Sequence, residues 1–436
     1  MTALPKDFTE RIGRQLGDEL PAFLRAMEEA AVRGIRMNPR KPFEGSEAYT
    51  AGERIPWEEN GYLIPPDSDA GATIFHEAGA FYLQEPAAML PARILDAKPG
   101  EWILDLCAAP GGKSTQIGAS LRGEGLLIAN EPIPKRAQIL SRNLERMGVG
   151  NSIVTSGYPE ALSGRWEGTF DGVLADAPCS GEGMFRRDPE TRKEWSPDMA
   201  AGCAKRQREI LQEAGRMVRP GGRLVYSTCT YNPAENEENV RWFLKTHPDF
   251  EAEDFRLNGA ESTEGMLTCW PHRMRGEGQF AARLRRKGNG ERPGRRGVFP
   301  APGKAERQAL REILPEGPEA NGVFAGRLAL IPECPEMSGI RILRAGLQLA
   351  EIRGRNAFPD HAAAMSAFPM NAAVTEIGDE DAARYMAGEE IPGETKGWTM
   401  IRYRGLILGW GKGSGGVIKN HYPKGLRKVL HPIEMR

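Results

Sequence analysis

Apolar positions recur with two different periods along this chain, and the order in which those periods alternate predicts its architecture. Near the start, Phe8, Ile12, Leu16, Leu20, Phe23, Leu24 and Met27 fall at helical spacing. Arg33 to Pro39 then reads as a basic strand-like turn, and Pro56 to Asp69, rich in Pro, Gly and acid, as loop. From about Phe75 to Arg286, strand and helix alternate. Strands are expected at Trp102–Leu106, Gly125–Asn130, Asn151–Thr155, Phe170–Ala175 and Gly222–Ser227. Between them, Lys113 to Ser120 opens a helix, Ile133, Ala137, Leu140, Leu144 and Met147 mark one helical face, and Cys203 to Val218 forms a third helix. Alternation of this kind predicts an α/β fold built on a doubly wound parallel sheet. Gly288 to Lys304 reads as a linker. Beyond it, Ile340–Ile352 and Trp398–Trp410 are expected as strands of a small, mainly β region, with Gly409 to Gly416 as a turn-rich loop.

The length, 436 residues, exceeds what one core usually organises and predicts two to three domains. A formal net charge of −1 conceals segregation. From Trp270 to Arg311 there are 12 Lys or Arg against 3 Asp or Glu, and from Lys396 to Arg436 there are 9 against 1. Such clusters are either solvated faces or sites for phosphate. The six cysteines form no CxxC pair, and no His lies at ligand spacing from another, so neither a metal site nor a disulfide framework is expected. The first residues lack the apolar core of a secretion signal, and no run reaches the roughly 20 apolar residues of a membrane span. A cytoplasmic protein without membrane attachment, and monomeric, is the expectation.

Three strand ends carry candidate chemistry. The first expected strand runs into Asp105-Leu106-Cys107-Ala108-Ala109-Pro110-Gly111-Gly112-Lys113. Small residues and two glycines before a helix let backbone N–H groups approach a ligand closely. Glu131 ends the next strand, where a carboxylate commonly accepts the hydroxyls of a ribose. Gly112-Lys113-Ser114-Thr115 also matches the tail of a phosphate-binding P-loop, but Cys107 stands where that motif requires glycine, and Pro110 stiffens the loop. A nucleotide hydrolase is therefore the lesser alternative. The other two strand ends deliver Asp176-Ala177-Pro178-Cys179 and Ser227-Thr228-Cys229 to the same crevice. Methylation at carbon 5 of cytosine needs a thiolate to add at carbon 6, an acid near ring nitrogen 3 and a group that assists elimination. Cys229, Asp176 and Cys179 are of those types, with Lys113 placed to favour a thiolate. Cys203, Cys269 and Cys334 read as packed residues, and Cys107 as packing more than reacting.

The segments DLCAAPGGKSTQ (105–116), DAPCSGEGMFRRDPE (176–190) and GGRLVYSTCTYNPAENE (221–237) resemble the signatures of the RNA cytosine-5 methyltransferase family. RGIRMN (33–38) and FYLQEPAAM (81–89) are similar to its N-terminal segments, and WTMIRYRGLILGWGKG (398–413) to the PUA-like end of its branch acting on bacterial small-subunit ribosomal RNA. The resemblance implies a Rossmann-like methyltransferase domain with an N-terminal α/β extension and a PUA-like C-terminal region. It implies S-adenosylmethionine as cofactor, held by Cys107, Ala108, Ala109, Pro110, Gly111, Gly112, Lys113, Glu131 and Asp176, with Arg136 as an addition. It makes Cys229 the nucleophile and Cys179 the thiol that assists release, roles that spacing does not assign. Where the family often carries Asp in its third cofactor segment, this chain reads Thr155-Ser156-Gly157-Tyr158, so a weaker adenine contact through backbone or Ser156 is expected. The expected division is an RNA-binding extension (1–75), the methyltransferase domain (76–287), a basic linker (288–304), a first C-terminal subdomain (305–370) and a PUA-like RNA-binding domain (371–436). Linker and tail would grip the phosphates of a folded RNA, 16S ribosomal RNA in the small subunit by resemblance, with transfer RNA as an alternative substrate. An RNA-binding assembly protein without turnover is the alternative of another class, and the intact set Cys229, Cys179, Asp176 and Lys113 argues against it.

Overall fold

A computed structural model describes residues 3–430. The last residues of the basic tail, 431–436, lie outside the described residues, as do residues 1 and 2. Two short helices, Lys6–Leu16 and Leu20–Glu28, precede strands β1 (Arg33–Met37), β2 (Gly61–Ile64) and β3 (Phe81–Leu83), which form one small antiparallel sheet with β1 in the centre.

The main sheet follows. Strands β4 (Trp102–Asp105), β5 (Leu126–Asn130), β6 (Ser152–Thr155), β7 (Phe170–Asp176) and β8 (Val218–Thr228) run parallel in the order 8-7-4-5-6. Their side chains are almost all buried, as expected of a parallel sheet covered on both faces. Alternate residues feed two cores. Ile103, Leu127, Leu174 and Val225 pack on one face with the helices Leu90–Leu95, Gly112–Ser120 and Pro134–Arg146. Leu104, Ile128, Val173, Ala175 and Leu224 pack on the other with helix Pro197–Met217.

The sheet is mixed, not wholly parallel. Gln279–Arg286 runs antiparallel to β8 at one edge, and Ile342–Ala345 runs antiparallel to β6 at the other. The second addition corrects the expected continuous strand Ile340–Ile352. Gly346 breaks it at φ +64°, where a Cβ would strike the Leu330 carbonyl oxygen at 2.1 Å. The piece before the break joins the main sheet, and Leu347–Arg353 joins a separate four-stranded sheet. Trp398–Trp410 likewise resolves into two paired strands, Gly397–Tyr403 and Leu406–Ser414, turning at Arg404-Gly405 with both residues at positive φ. Gly409 to Ser414, expected as loop, is therefore strand, and only Gly415-Gly416 turn.

Sequence-distant pieces share cores. Ile35, Phe75 and Phe81 of the N-terminal region pack with Tyr403, Leu406 and Leu408 of the C-terminal hairpin. The basic stretch 270–311 is answered by carboxylates. Arg273 pairs with Glu19, Arg275 with Glu53, Arg283 and Arg285 with Glu253, Arg286 with Asp249, Arg292 with Asp171, Arg296 with Glu333 and Arg311 with Glu319. Much of the positive charge read from the sequence is answered inside the fold, which leaves less of it for phosphate.

A buried ion pair fixes the N-terminal region to the main sheet. Arg186 donates from Nε and Nη2 to Glu277 at 2.9–3.0 Å, from Nη2 to the Gly276 carbonyl (2.8 Å) and from Nη1 to the Ala26 carbonyl (3.0 Å). Glu277 also accepts from the Val32 N–H at 3.1 Å, and its own N–H donates to Glu85 at 2.7 Å. Removing one member leaves the other charge buried and unpaired. Glu277→Ala should therefore lower unfolding free energy by about 3–5 kcal/mol, measured by urea denaturation.

Candidate active site

Register in the parallel sheet assembles the site. Asp176 lies opposite Ser227 across β7 and β8, so the segments that follow both strands leave the sheet together. The Cys179 and Cys229 sulfurs approach to 3.3 Å, and the Cys229 N–H is also 3.3 Å from the Cys179 sulfur. Lys113, at the start of the helix after β4, donates from Nζ to Asp176 Oδ2 at 2.8 Å. The Ser227 hydroxyl donates to Asp176 Oδ1 at 2.6 Å. Both carboxylate oxygens of Asp176 are thus engaged. Asp176, Lys113, Cys179 and Cys229, expected together, are together. Lys113, which a P-loop would hold against phosphates, instead faces this carboxylate.

Burial works against the Lys113 charge, but the Asp176 carboxylate outweighs it and holds the ammonium above its usual pKa. In the thiol pair, the hydrogen bond between the sulfurs favours the thiolate on Cys229 and the proton on Cys179. Burial and Asp176 oppose the Cys229 thiolate, and Lys113 supports it. Burial pushes the Cys107 thiol up, consistent with a packed residue. Cys269 and Cys203 are raised for the same reason, and Cys334 to about 11.

A residue outside the expected set ties the two thiol segments together. Glu235, fully buried, accepts from the Ser180 N–H (2.9 Å), from the Ser180 hydroxyl and from Gln207 Nε2 (2.8 Å). The same Ser180 hydroxyl lies 2.9 Å from the Thr230 hydroxyl. Residues adjacent to both cysteines are therefore anchored on one carboxylate. Glu235 stands inside the segment 221–237, but no spacing rule marks it, because its partners are remote in sequence.

Beside the thiols is a cavity of about 220 Å³. Asp105, Cys107, Ala108, Ala109, Pro110, Gly112, Lys113 and Asp176 line it, joined by Tyr82, Gln84 and Arg187. Gly111 caps the helix at φ +117°, a conformation that favours glycine. Arg36, buried, braces the loop from below: its Nη2 donates to the Gly112 carbonyl (3.1 Å) and to Thr115 Oγ1 (2.7 Å), and its Nε to Gln84 Oε1 (3.2 Å). The sequence marked the RGIRMN segment without showing this role. Glu131 and Arg136 are near the loop but do not line the cavity. Glu131 accepts from the Ile133 N–H (3.0 Å) and pairs with Arg136 (3.2 Å), which also donates to the Ala109 carbonyl (3.1 Å). Ser156, where an adenine contact through backbone or side chain is expected, is engaged through both of its donors. Its N–H already donates to the Arg341 carbonyl (2.9 Å) and its hydroxyl to the Pro132 carbonyl (3.2 Å).

Asp105 ends β4 and opens the loop. It is fully buried, Ser114 donates to its Oδ2 at 2.6 Å, and its Oδ1 has no partner. Burial, opposed by the Ser114 bond and aided by Asp176, pushes its carboxyl up to about 7. Among the described residues no group of His, Cys, Asp and Glu could hold a metal ion, and no helix is long and apolar enough to cross a membrane.

Comparison with known proteins places these features in a family. Residues 92–285 match the profile described as 16S rRNA methyltransferase RsmB/F, residues 4–86 the N-terminal domain of 16S rRNA methyltransferase RsmF, and residues 372–428 the methyltransferase RsmF PUA domain. The chain is 35% identical over 402 residues to ribosomal RNA small subunit methyltransferase F of Shewanella amazonensis, covering 86% of each chain. It is 33% identical over 401 residues to the protein of that name from Klebsiella pneumoniae, covering 85% of this chain and 84% of that one. Among solved structures, a methyltransferase homolog from Pyrococcus horikoshii aligns with a TM-score of 0.57 at 28% identity, over 65% of this chain and 96% of that one.

Two measurements probe the electrostatics. Lys113→Met removes the cation that supports the Cys229 thiolate. The pH midpoint for alkylation of Cys229 by iodoacetamide, followed by peptide mass spectrometry, should rise by about 1 unit or more. Asp105 binds a proton in the folded chain up to about pH 7 but in the unfolded chain only near pH 3.8. The folded state therefore holds the extra proton between those values, and this group's contribution to stability falls as pH rises through that window. In Asp105→Asn the urea midpoint should decline less between pH 5 and pH 8 than in the wild type.

Proposed function

We propose, for a chain that belongs to the RsmB/F family of 16S rRNA methyltransferases, that it transfers a methyl group from S-adenosylmethionine to carbon 5 of a cytosine in small-subunit ribosomal RNA. The observation that carries this reading is the 3.3 Å approach of two sulfurs beside the Lys113–Asp176 pair.

The donor set of the cavity suits the cofactor. It is floored by a loop of small residues leading into a helix, and Asp105 beside it keeps a buried carboxylate oxygen without a partner, suited to the ammonium of a methionine moiety. Cys107 to Gly112, Asp105 and Asp176 would hold the cofactor, with Gly111 setting the loop and Glu131 and Arg136 bracing its far side. When bound, S-adenosylmethionine supplies an electrophilic methyl group.

The remaining chemistry is assigned to this chain's side chains. Cys229, favoured as thiolate, adds to carbon 6 of the cytosine and makes carbon 5 nucleophilic. Asp176, bonded to the Lys113 ammonium and to Ser227, passes a proton from Lys113 to ring nitrogen 3 as negative charge develops there. Cys179 begins as the protonated partner. Once the Cys229 sulfur is bonded to carbon, it no longer presents the thiolate that held the proton on Cys179. Cys179 then gives its proton to solvent and, as a thiolate, removes the carbon-5 proton; the freed electron pair re-forms the 5,6 double bond and expels the Cys229 thiolate. The target base must leave its stack to reach the crevice. A PUA-type region at 372–428 supports an RNA substrate.

The test is a denaturing gel of wild type, Cys179→Ala and Cys229→Ala after expression in a bacterial host. A slow, nuclease-sensitive band in Cys179→Ala alone is expected. A band in Cys229→Ala alone would exchange the two roles, and none in any variant would remove the covalent step.

A further inference from the structure

At the amino ends of β4, β5 and β6, on the side of the sheet away from the thiols, lies a larger cavity, of about 480 Å³. That is within the range of about 300–1,000 Å³ typical of sites for small ligands. Trp102 opens β4 at this cavity and Asp105 closes the same strand at the crevice. At the rise of an extended strand, the two ends stand roughly 10 Å apart through the sheet.

The cavity is built from distant pieces of chain. Its floor is glycine backbone from the loops that precede β4, β5 and β6, and a Cβ on Gly100 would meet nothing within 4 Å. One wall is apolar, from Leu330, Pro332 and Leu347, and Phe368 stands at the rim with 47% of its surface exposed. Asn151 lines the cavity while remaining only 8% exposed. Its Nδ2 donates to the Glu124 carbonyl at 2.9 Å, and its Oδ1 is a buried acceptor with no partner. Arg40 also lines the cavity, and its guanidinium has neither a hydrogen-bond nor an ion-pair partner among the described residues. Arg40 continues into a neighbouring groove of about 760 Å³, which contains a second guanidinium without a partner among the described residues, Arg122. This contrasts with the basic stretch 270–311, where carboxylates already answer most of the charge.

We infer that this cavity is a second RNA subsite, which takes one unstacked nucleobase, its exocyclic amino group donating to Asn151 Oδ1, with the adjoining phosphates on Arg40 and Arg122. The inference rests on RNA being the substrate. The chemistry selects such an occupant. Unpaired guanidinium groups on consecutive grooves suit a chain of anions. A pocket with an aromatic rim and a single buried acceptor suits a flat ring bearing an amine. Single-stranded RNA combines both, and a strand leaving the catalytic crevice would pass around the covered sheet to reach its far side. The subsite would fix how the RNA lies across the protein, and so which cytosine meets Cys229.

The full-length protein and a transcript of small-subunit ribosomal RNA provide the test. Binding is titrated over salt for wild type, for Arg40→Ala with Arg122→Ala, and for a control pair, Arg25→Ala with Arg355→Ala, which removes equal charge from exposed positions elsewhere. The first pair should weaken binding about tenfold at low salt and flatten the slope of log K against log salt by about 1.4, two single-strand phosphate contacts at about 0.7 each. The control pair should change little, and S-adenosylmethionine affinity should be unchanged in both, which also reports intact folding. Ultraviolet cross-linking should yield a nucleotide-bearing peptide containing Phe368, lost in Phe368→Ala. Equal weakening by both pairs, or cross-links confined to the crevice around Cys229, would overturn the subsite while leaving the methyltransferase reading intact. A wild type that bound no RNA would remove both.

Discussion

The pairing of β7 with β8 is the constraint on which the rest depends. Because Asp176 sits opposite Ser227, the two strands release their following segments at one level, and the sulfurs of Cys179 and Cys229 meet at 3.3 Å. Strand pairing alone would leave two mobile segments with thiols near each other. Glu235 removes that freedom by accepting from Ser180, next to Cys179, and Gln207, while Ser180 in turn contacts Thr230, next to Cys229. A buried carboxylate is costly unless its lone pairs are filled, so once filled it fixes its donors strongly. The asymmetry of the two thiols follows from their contact: one sulfur carries the proton that stabilises charge on the other.

The elements around the main sheet act on that centre from several directions. Arg36, from the N-terminal sheet, reaches the Gly112 carbonyl and Thr115 and so braces the loop that lines the cavity. Arg186 and Glu277 tie the segment after Cys179 to the antiparallel edge and to the N-terminal helices. On the other edge, Ile342–Ala345 extends the sheet from a part of the chain expected to stand apart. The N-terminal and C-terminal regions then share a core through Phe75 and Tyr403, whose ring centroids lie 5.9 Å apart. Regions remote in sequence thereby form one continuous support around the crevice.

Charge behaves differently in the sequence and in the fold. The basic stretch 270–311 reads as either a solvated face or a site for phosphate, yet Arg283, Arg286 and Arg292 are occupied by Glu253, Asp249 and Asp171. Arg292 and Arg296 also lie over the Trp102 ring, at 4.9 and 4.5 Å from its centroid. Arg40 and Arg122, whose guanidinium groups have no partner among the described residues, come from segments outside both basic stretches.

The sequence by itself determined the parallel core and the chemistry at its strand ends. Strand and helix periodicity are local, and Cys107 to Lys113, Asp176 to Cys179 and Ser227 to Cys229 each directly follow a strand whose apolar run is unmistakable. The carboxyl ends of neighbouring parallel strands open on one crevice, so local sequence assigns these residues to it. What only the tertiary structure decided involves partners that no local pattern specifies. Examples are the role of Glu235, the brace from Arg36, the unpartnered oxygen of Asp105, the engagement of Ser156 and the break at Gly346 that sends one strand into the main sheet. Each depends on a group tens or hundreds of residues away, or on a close backbone approach, and periodicity carries no information about either.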